Sequence, residues 1–119
     1  MEHLNLQFQI KPGTDIVYMP RFIDKVDDAR WITKILTPKE QTLFYRLQSP
    51  KRRLEFICGR FAAKEAYSKA KGVGIGEIDF LDVEILADDL GKPVSECMNV
   101  SISHDQDYAL AMVIVYENI

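Results

Sequence analysis

The spacing of apolar residues changes several times along the chain, and each change marks a predicted element. Leu4, Leu6, Phe8 and Ile10 alternate with Asn5, Gln7 and Gln9, the period of a strand with one buried face. Pro12-Gly13 is expected to interrupt that strand, and Thr14 to Met19 resumes an extended apolar run. Pro20 opens a short helix predicted to reach Asp28, and a second is predicted from Arg30 to Leu36. Thr37-Pro38-Lys39-Glu40 has a threonine N-cap, a proline in the first turn and a glutamate three residues after the cap. Ser49-Pro50 repeats part of that signal and begins the longest helix, which should end at Gly72.

Beyond Gly72 the period falls to two. Leu81, Val83 and Ile85 alternate with Asp82 and Glu84, then Asp88 to Pro93 reads as a turn. Met98, Val100 and Ile102 alternate with Asn99, Ser101 and Ser103, and a polar corner at His104 to Asp107 leads into Tyr108 to Tyr116. Three strands joined by short turns predict an antiparallel meander. Helices first and strands last, with one strand at the start, predict an α+β fold: an antiparallel β-sheet packed against a long central helix plus shorter helices.

Composition narrows the function classes. With 119 residues, 47% of them hydrophobic, the chain is expected to form a single domain, 1–119. A net charge of −3 and a pI near 5.3 argue against a bulk nucleic-acid binder. Cys58 and Cys97 lack metal-site spacing and are expected to be small buried hydrophobes in a reducing compartment. Met1 to Asn5 lacks the basic start of a secretion signal, and no apolar run approaches the roughly 20 residues of a membrane span. The expected location is the cytoplasm.

Candidate chemistry concentrates on the long helix. At 100° per residue, Leu54, Cys58, Phe61 and Ser68 fall near one line, with Glu65 in its middle. A carboxylate there must be paired, hydrogen-bonded or bound to a cation. Two readings are open, a buried salt bridge and a metal ligand. Arg53, Arg60, Lys64 and Lys71 form a second line, spanning roughly 40° around the axis. Such a stripe is either a solvated face or a rail for phosphates. Phe56, Ala63, Tyr67 and Ala70 make a further apolar face, which implies a central helix or a contact with another subunit.

Asp15, in an otherwise apolar segment, is either a turn residue after Gly13 or a second carboxylate for a hard ion such as Mg²⁺. His104 ends a strand, where it either bonds locally or meets a ligand. The glycines at 72, 74 and 76 follow a helix, so they form neither a P-loop nor a dinucleotide fingerprint. They do allow close approach of a ligand to the backbone, and alone they license no more than that.

These residues together resemble the three motifs of the 4′-phosphopantetheinyl transferases. The stretches are Gly13-Thr14-Asp15-Ile16-Val17, Phe56 to Ala70 with Gly72 to Gly76, and Val100-Ser101-Ile102-Ser103-His104 with Asp107-Tyr108-Ala109. Their order and spacing are similar to the small holo-[acyl-carrier-protein] synthase type. The resemblance implies Mg²⁺-dependent transfer of 4′-phosphopantetheine from coenzyme A to a serine of an apo acyl carrier protein, releasing 3′,5′-ADP. It assigns the metal to Asp15 and Glu65, and coenzyme A to Arg60, Lys64, Lys69, Gly74, Ser103 and His104. Glu65, Asp15 and Lys69 become the catalytic candidates, with Glu65 or a water beside it as base. It also implies a homotrimer with sites between subunits, neither nucleic acid nor membrane being a partner.

Two features depart from the family pattern. Arg21 matches a basic position used to dock the acidic carrier, but Asp24, Asp27 and Asp28 dilute its charge against only Lys25 and Arg30. The segment through Lys11 also looks long and is expected to add an edge strand. Three alternatives therefore stand beside a fatty-acid enzyme: a transferase for a polyketide or other secondary-metabolite carrier, a non-catalytic homologue that binds coenzyme A or a carrier, and a structural trimer.

Overall fold

The computed structural model describes residues 7–73 and 78–118. Strands β1 (Phe8–Tyr18), β4 (Asn99–Asp105) and β5 (Tyr108–Asn118) form an antiparallel sheet in the order β1-β5-β4. Helix α3 (Pro50–Lys71) lies across one face. Small residues make this approach close: Ala109 and Ala111 of β5 and Ala62, Ala63 and Ala66 of α3 are fully buried. Gly13 of β1 is the extreme case, since a Cβ there would lie 2.0 Å from the Ala66 carbonyl oxygen. The α+β class and the central helix agree with the sequence pattern.

The expected interruption at Pro12-Gly13 is absent, and β1 runs through both residues. A missing N–H is tolerated because β1 is an edge strand. Alternation along β1 turns Gly13, Asp15 and Val17 toward α3 and leaves Ile10, Ile16 and Tyr18 on the open face.

The helical half follows its caps. Met19–Lys25 is a 3₁₀ turn, shorter than the predicted helix, and α1 covers Ala29–Ile35 with Asp28 as N-cap. Helix α2 (Pro38–Arg46) carries the full capping box between Thr37 and Glu40. Helix α3 starts at the Ser49 cap and ends at Gly72, whose φ of +74° is the left-handed conformation glycine adopts freely.

The predicted strand around Leu81 to Ile85 does not join the sheet. Residues Phe80–Asp82 form a 3₁₀ turn, and only Leu86–Ala87 (β2) pairs, with Pro93–Val94 (β3). Side chains explain this. Glu40 accepts from the Ile85 N–H, and Arg60 donates to the Ile85 and Leu86 carbonyls, so groups that a neighbouring strand would need are taken.

The further apolar face of α3 serves the chain's own interior: Ala63 and Ala70 are buried and Phe56 packs near Phe44. The exposed apolar surface lies instead on the open side of the sheet. Ile10, Ile16, Leu110, Met112 and Tyr116 are each 45 to 62% exposed there. Cys58 is buried, its thiol pushed up to about 12 by burial, whereas Cys97 is exposed and not the core residue expected. Among the described residues no helix is long and apolar enough to cross a membrane.

Candidate active site

Where β1 crosses α3, Asp15, Glu65 and Lys69 come together. Glu65 and Lys69 are one helical turn apart on the same face of α3, and the Lys69 ammonium donates to Asp15 Oδ1 at 2.9 Å and to the Thr14 carbonyl at 3.0 Å. Glu65 is buried, and among the described residues no side chain hydrogen-bonds or ion-pairs with it. Burial pushes its carboxyl above the usual carboxylate range, and the charge on Asp15 adds to the effect. Lys69 and Arg21 act in the opposite sense.

Two carboxylates close together, with Glu65 made costlier to ionise by its neighbour, beside a mobile-stemmed cation, suit a hard divalent ion. Among the described residues there is no cluster of three acidic, histidine or cysteine side chains that could cage a metal unaided. The donor set therefore fits Mg²⁺ that takes its remaining oxygens from phosphate and water.

The basic stripe is neither a solvated face nor a free phosphate rail. Arg53 donates to the Leu47 and Tyr45 carbonyls, and Lys71 pairs with Glu117 at 2.5 Å. Lys64 is fully buried, donating to Glu40 Oε1 at 2.6 Å, the Ile35 carbonyl at 2.7 Å and the Phe80 carbonyl at 3.0 Å. All three ammonium protons are used, and burial lowers its pKa despite the Glu40 charge. The expected phosphate contact of Lys64 is thus corrected: the side chain points into the core.

Arg60 is intermediate between these roles. Its guanidinium holds the Ile85 and Leu86 carbonyls and lies 4.0 Å from the Phe56 ring centre, yet it also borders an open cavity. Burial lowers its pKa to about 10, so it stays cationic at neutral pH. The cavity, about 550 Å³, is walled by Arg46, Arg52, Phe56, Arg60, Pro93 and His104 among others. His104 Nε2 lies 2.9 Å from the Glu55 carbonyl, which fixes the ring against α3.

Ser103 stands apart. Strand alternation turns it to the open face of the sheet, away from His104 and the cavity, so its expected place beside His104 is corrected. Gly74 lies outside the described residues. The cavity arginines Arg46 and Arg52 escaped the sequence reading because they flank the α2–α3 corner and share no helical stripe with Arg60. The signal available was the density of basic residues from Arg46 to Arg53.

The profile of the 4′-phosphopantetheinyl transferase superfamily matches residues 11–113. A holo-[acyl-carrier-protein] synthase from Geobacillus sp. (strain WCH70) is 48% identical over 111 residues, spanning 87% of this chain and 92% of that protein. One from Halalkalibacterium halodurans is 50% identical over 113 residues, spanning 89% of this chain and 94% of that protein. Among solved structures, the holo-(acyl-carrier-protein) synthase of Bacillus anthracis str. Ames in complex with CoA (3′,5′-ADP) superposes with a TM-score of 0.84. It is 39% identical, and the match covers 94% of this chain and 100% of that one. The Helicobacter pylori enzyme in complex with coenzyme A gives a TM-score of 0.75 at 33% identity, covering 87% of this chain and 98% of that one. With the family profile and relatives matched along most of its length, the chain belongs to the 4′-phosphopantetheinyl transferase superfamily, in its holo-[acyl-carrier-protein] synthase group.

Proposed function

We infer that this enzyme transfers 4′-phosphopantetheine from coenzyme A to a serine of an apo acyl carrier protein, releasing 3′,5′-ADP. The observation that carries the reading is the convergence of Asp15, Glu65 and Lys69 at the β1–α3 crossing. Asp15 and Glu65 would hold Mg²⁺, which when bound offsets the charge of the pyrophosphate and of the departing ADP oxygen. Lys69 adds positive charge beside Asp15 for the same phosphates. The carrier serine oxygen forms a bond to the phosphorus that bears the pantetheine arm. The bond from that phosphorus to the bridging oxygen breaks, and ADP leaves with the electron pair. Glu65, the least compensated acid at the site, accepts the serine proton.

The nucleotide end of coenzyme A fits the cavity walled by Arg46, Arg52, Arg60 and His104, where cations meet phosphate and Phe56 offers an aromatic face. Phe56 and Glu65 are nine residues apart, about 14 Å along the helix axis and half a turn around it. Adenosine and pyrophosphate are adjoining parts of one nucleotide, so the half-turn separation favours a coenzyme A site shared between two copies of the chain. A second copy supplies the other half, and the exposed apolar face of the sheet gives it a surface to occupy. A homotrimer with sites between subunits meets these needs. The enzyme would work in the cytoplasm, providing carrier proteins for fatty-acid and lipid synthesis.

One observation keeps a second carrier class in view. Asp24 and Asp27 are exposed near Arg21, whereas Asp28 is accounted for as the cap of α1. A panel of apo carriers from fatty-acid and polyketide systems, incubated with coenzyme A and Mg²⁺, tests both readings by mass spectrometry. The expected result is a gain of about 340 Da, the mass of the transferred group, on one class of carrier and its loss with EDTA. No gain on any carrier overturns the transferase reading.

A further inference from the structure

We propose that Glu40 and Lys64 act as a buried positioning pair for coenzyme A: they fix residues 80–87 against α3, and through them Arg60 and one wall of the nucleotide cavity. The inference rests on the assignment of that cavity to the nucleotide.

Both side chains are fully buried, and each is hydrogen-bonded by groups from different elements. Lys64 joins the end of α1, through the Ile35 carbonyl, to the Phe80 carbonyl. Glu40 Oε1 accepts from Lys64 and from the Thr37 N–H, while Oε2 accepts from the Ile85 N–H at 2.7 Å. Next to it, the Thr37 hydroxyl donates to Glu84 Oε2 at 2.6 Å. One carboxylate thus caps α2, neutralises α3 and holds the chain at Ile85.

The same stretch of chain reaches the cavity. Arg60 is clamped by the Ile85 and Leu86 carbonyls, and Ala87, directly after them, lines the cavity and pairs with Pro93, another of its walls. Residues 80–87 have little regular pairing of their own, so the Glu40 and Arg60 contacts set their position. A buried ion pair is a poor device for stability alone, because apolar residues of similar volume often do as well. As a rigid hub with all three ammonium protons and both carboxylate oxygens engaged, it sets geometry.

The test is a double-mutant cycle of Glu40→Gln and Lys64→Met in the full chain, with steady-state constants for coenzyme A and for carrier. E40Q keeps one oxygen acceptor and a residue type suited to the capping box, so it is the variant most able to fold. The expected result is a rise of about fivefold or more in the KM for coenzyme A in each single variant, with the KM for carrier within about twofold of the parent. The double variant should be no worse than about twofold beyond the weaker single, since one pair is broken once.

An unchanged KM for coenzyme A in E40Q overturns the proposal, and so do effects that multiply. A fall in kcat for K64M at unchanged KM would place Lys64 on the reacting atoms instead. Loss of folded protein with both KM values unchanged would make the pair structural only. If K64M does not fold, E40Q decides alone. An R46Q/R52Q variant separates the two inferences. An unchanged KM for coenzyme A there removes the cavity assignment, whereas a raised value there with a parental value in E40Q removes the positioning pair alone.

Discussion

Gly13 and Ala66 bring β1 and α3 as close as two backbones can come: a Cβ on Gly13 would sit 2.0 Å from the Ala66 carbonyl oxygen and 3.0 Å from the Ala70 nitrogen. Both obstacles are backbone, so Gly13→Ala must push the strand from the helix. Overpacking of this kind costs about 1–3 kcal/mol, equivalent to a fall in Tm of roughly 4 °C per kcal/mol for a chain of this size. Because Asp15 rides on the same strand, G13A should also lose transfer activity. Gly59→Ala is the control. Its Cβ would meet Ile102 Cγ2 at 2.9 Å and His104 Nε2 at 3.3 Å, side chains and not backbone, and alanine favours the helix by about 1 kcal/mol. Thermal melts of both should place G13A well below G59A; equal melts would show that the close approach is not needed.

Glu65 makes the metal-free protein sensitive to pH. Its carboxyl is held above the usual range by burial and by Asp15, so the folded state keeps this proton to higher pH than the unfolded chain does. Stability from this group is therefore present at acid pH, declines as pH rises from the ordinary carboxylate range through the raised value, and stays lower above it. Glu65→Gln removes the decline. In EDTA at neutral pH, E65Q should melt above the parent, and the gap should narrow on acidification. Mg²⁺ should raise the Tm of the parent and leave E65Q unmoved. Parallel melting curves at all pH values would show that the Glu65 carboxyl is not raised, and an equal response to Mg²⁺ would show that Glu65 does not hold the ion.

The anomalies at Asp15 and Glu65 were legible because each breaks a local rule, a charge in an apolar run or on a buried stripe. Caps were equally plain, since Thr37, Ser49 and Gly72 act within a few residues of themselves. What sequence spacing could not reveal is how far partners lie along the chain. Lys64 looks like a member of a basic rail until Glu40, 24 residues away, occupies it. The alternation from Leu81 to Ile85 looks like a strand until side chains from α2 and α3 take its backbone groups. Ser103 and His104 are neighbours in sequence and opposites in the sheet, a consequence of the two-residue period itself.

The separation of carboxylates and cavity on opposite sides of α3 makes complementation between inactive chains possible. Glu65→Gln leaves the cavity intact, and Arg52→Glu, at the cavity wall, leaves the carboxylates intact. Each variant alone should transfer little phosphopantetheine. Mixed as unfolded chains and refolded together, they should regain about a quarter of parental activity, the share of subunit boundaries that pair one good half-site with the other in random assembly. Met112→Lys places a charge on the exposed apolar face of the sheet, where Met112 is 47% exposed. That change should shift the protein to monomers in light scattering and abolish the complementation, because no boundary would form. Assembly without recovery would mean that one chain carries a complete site.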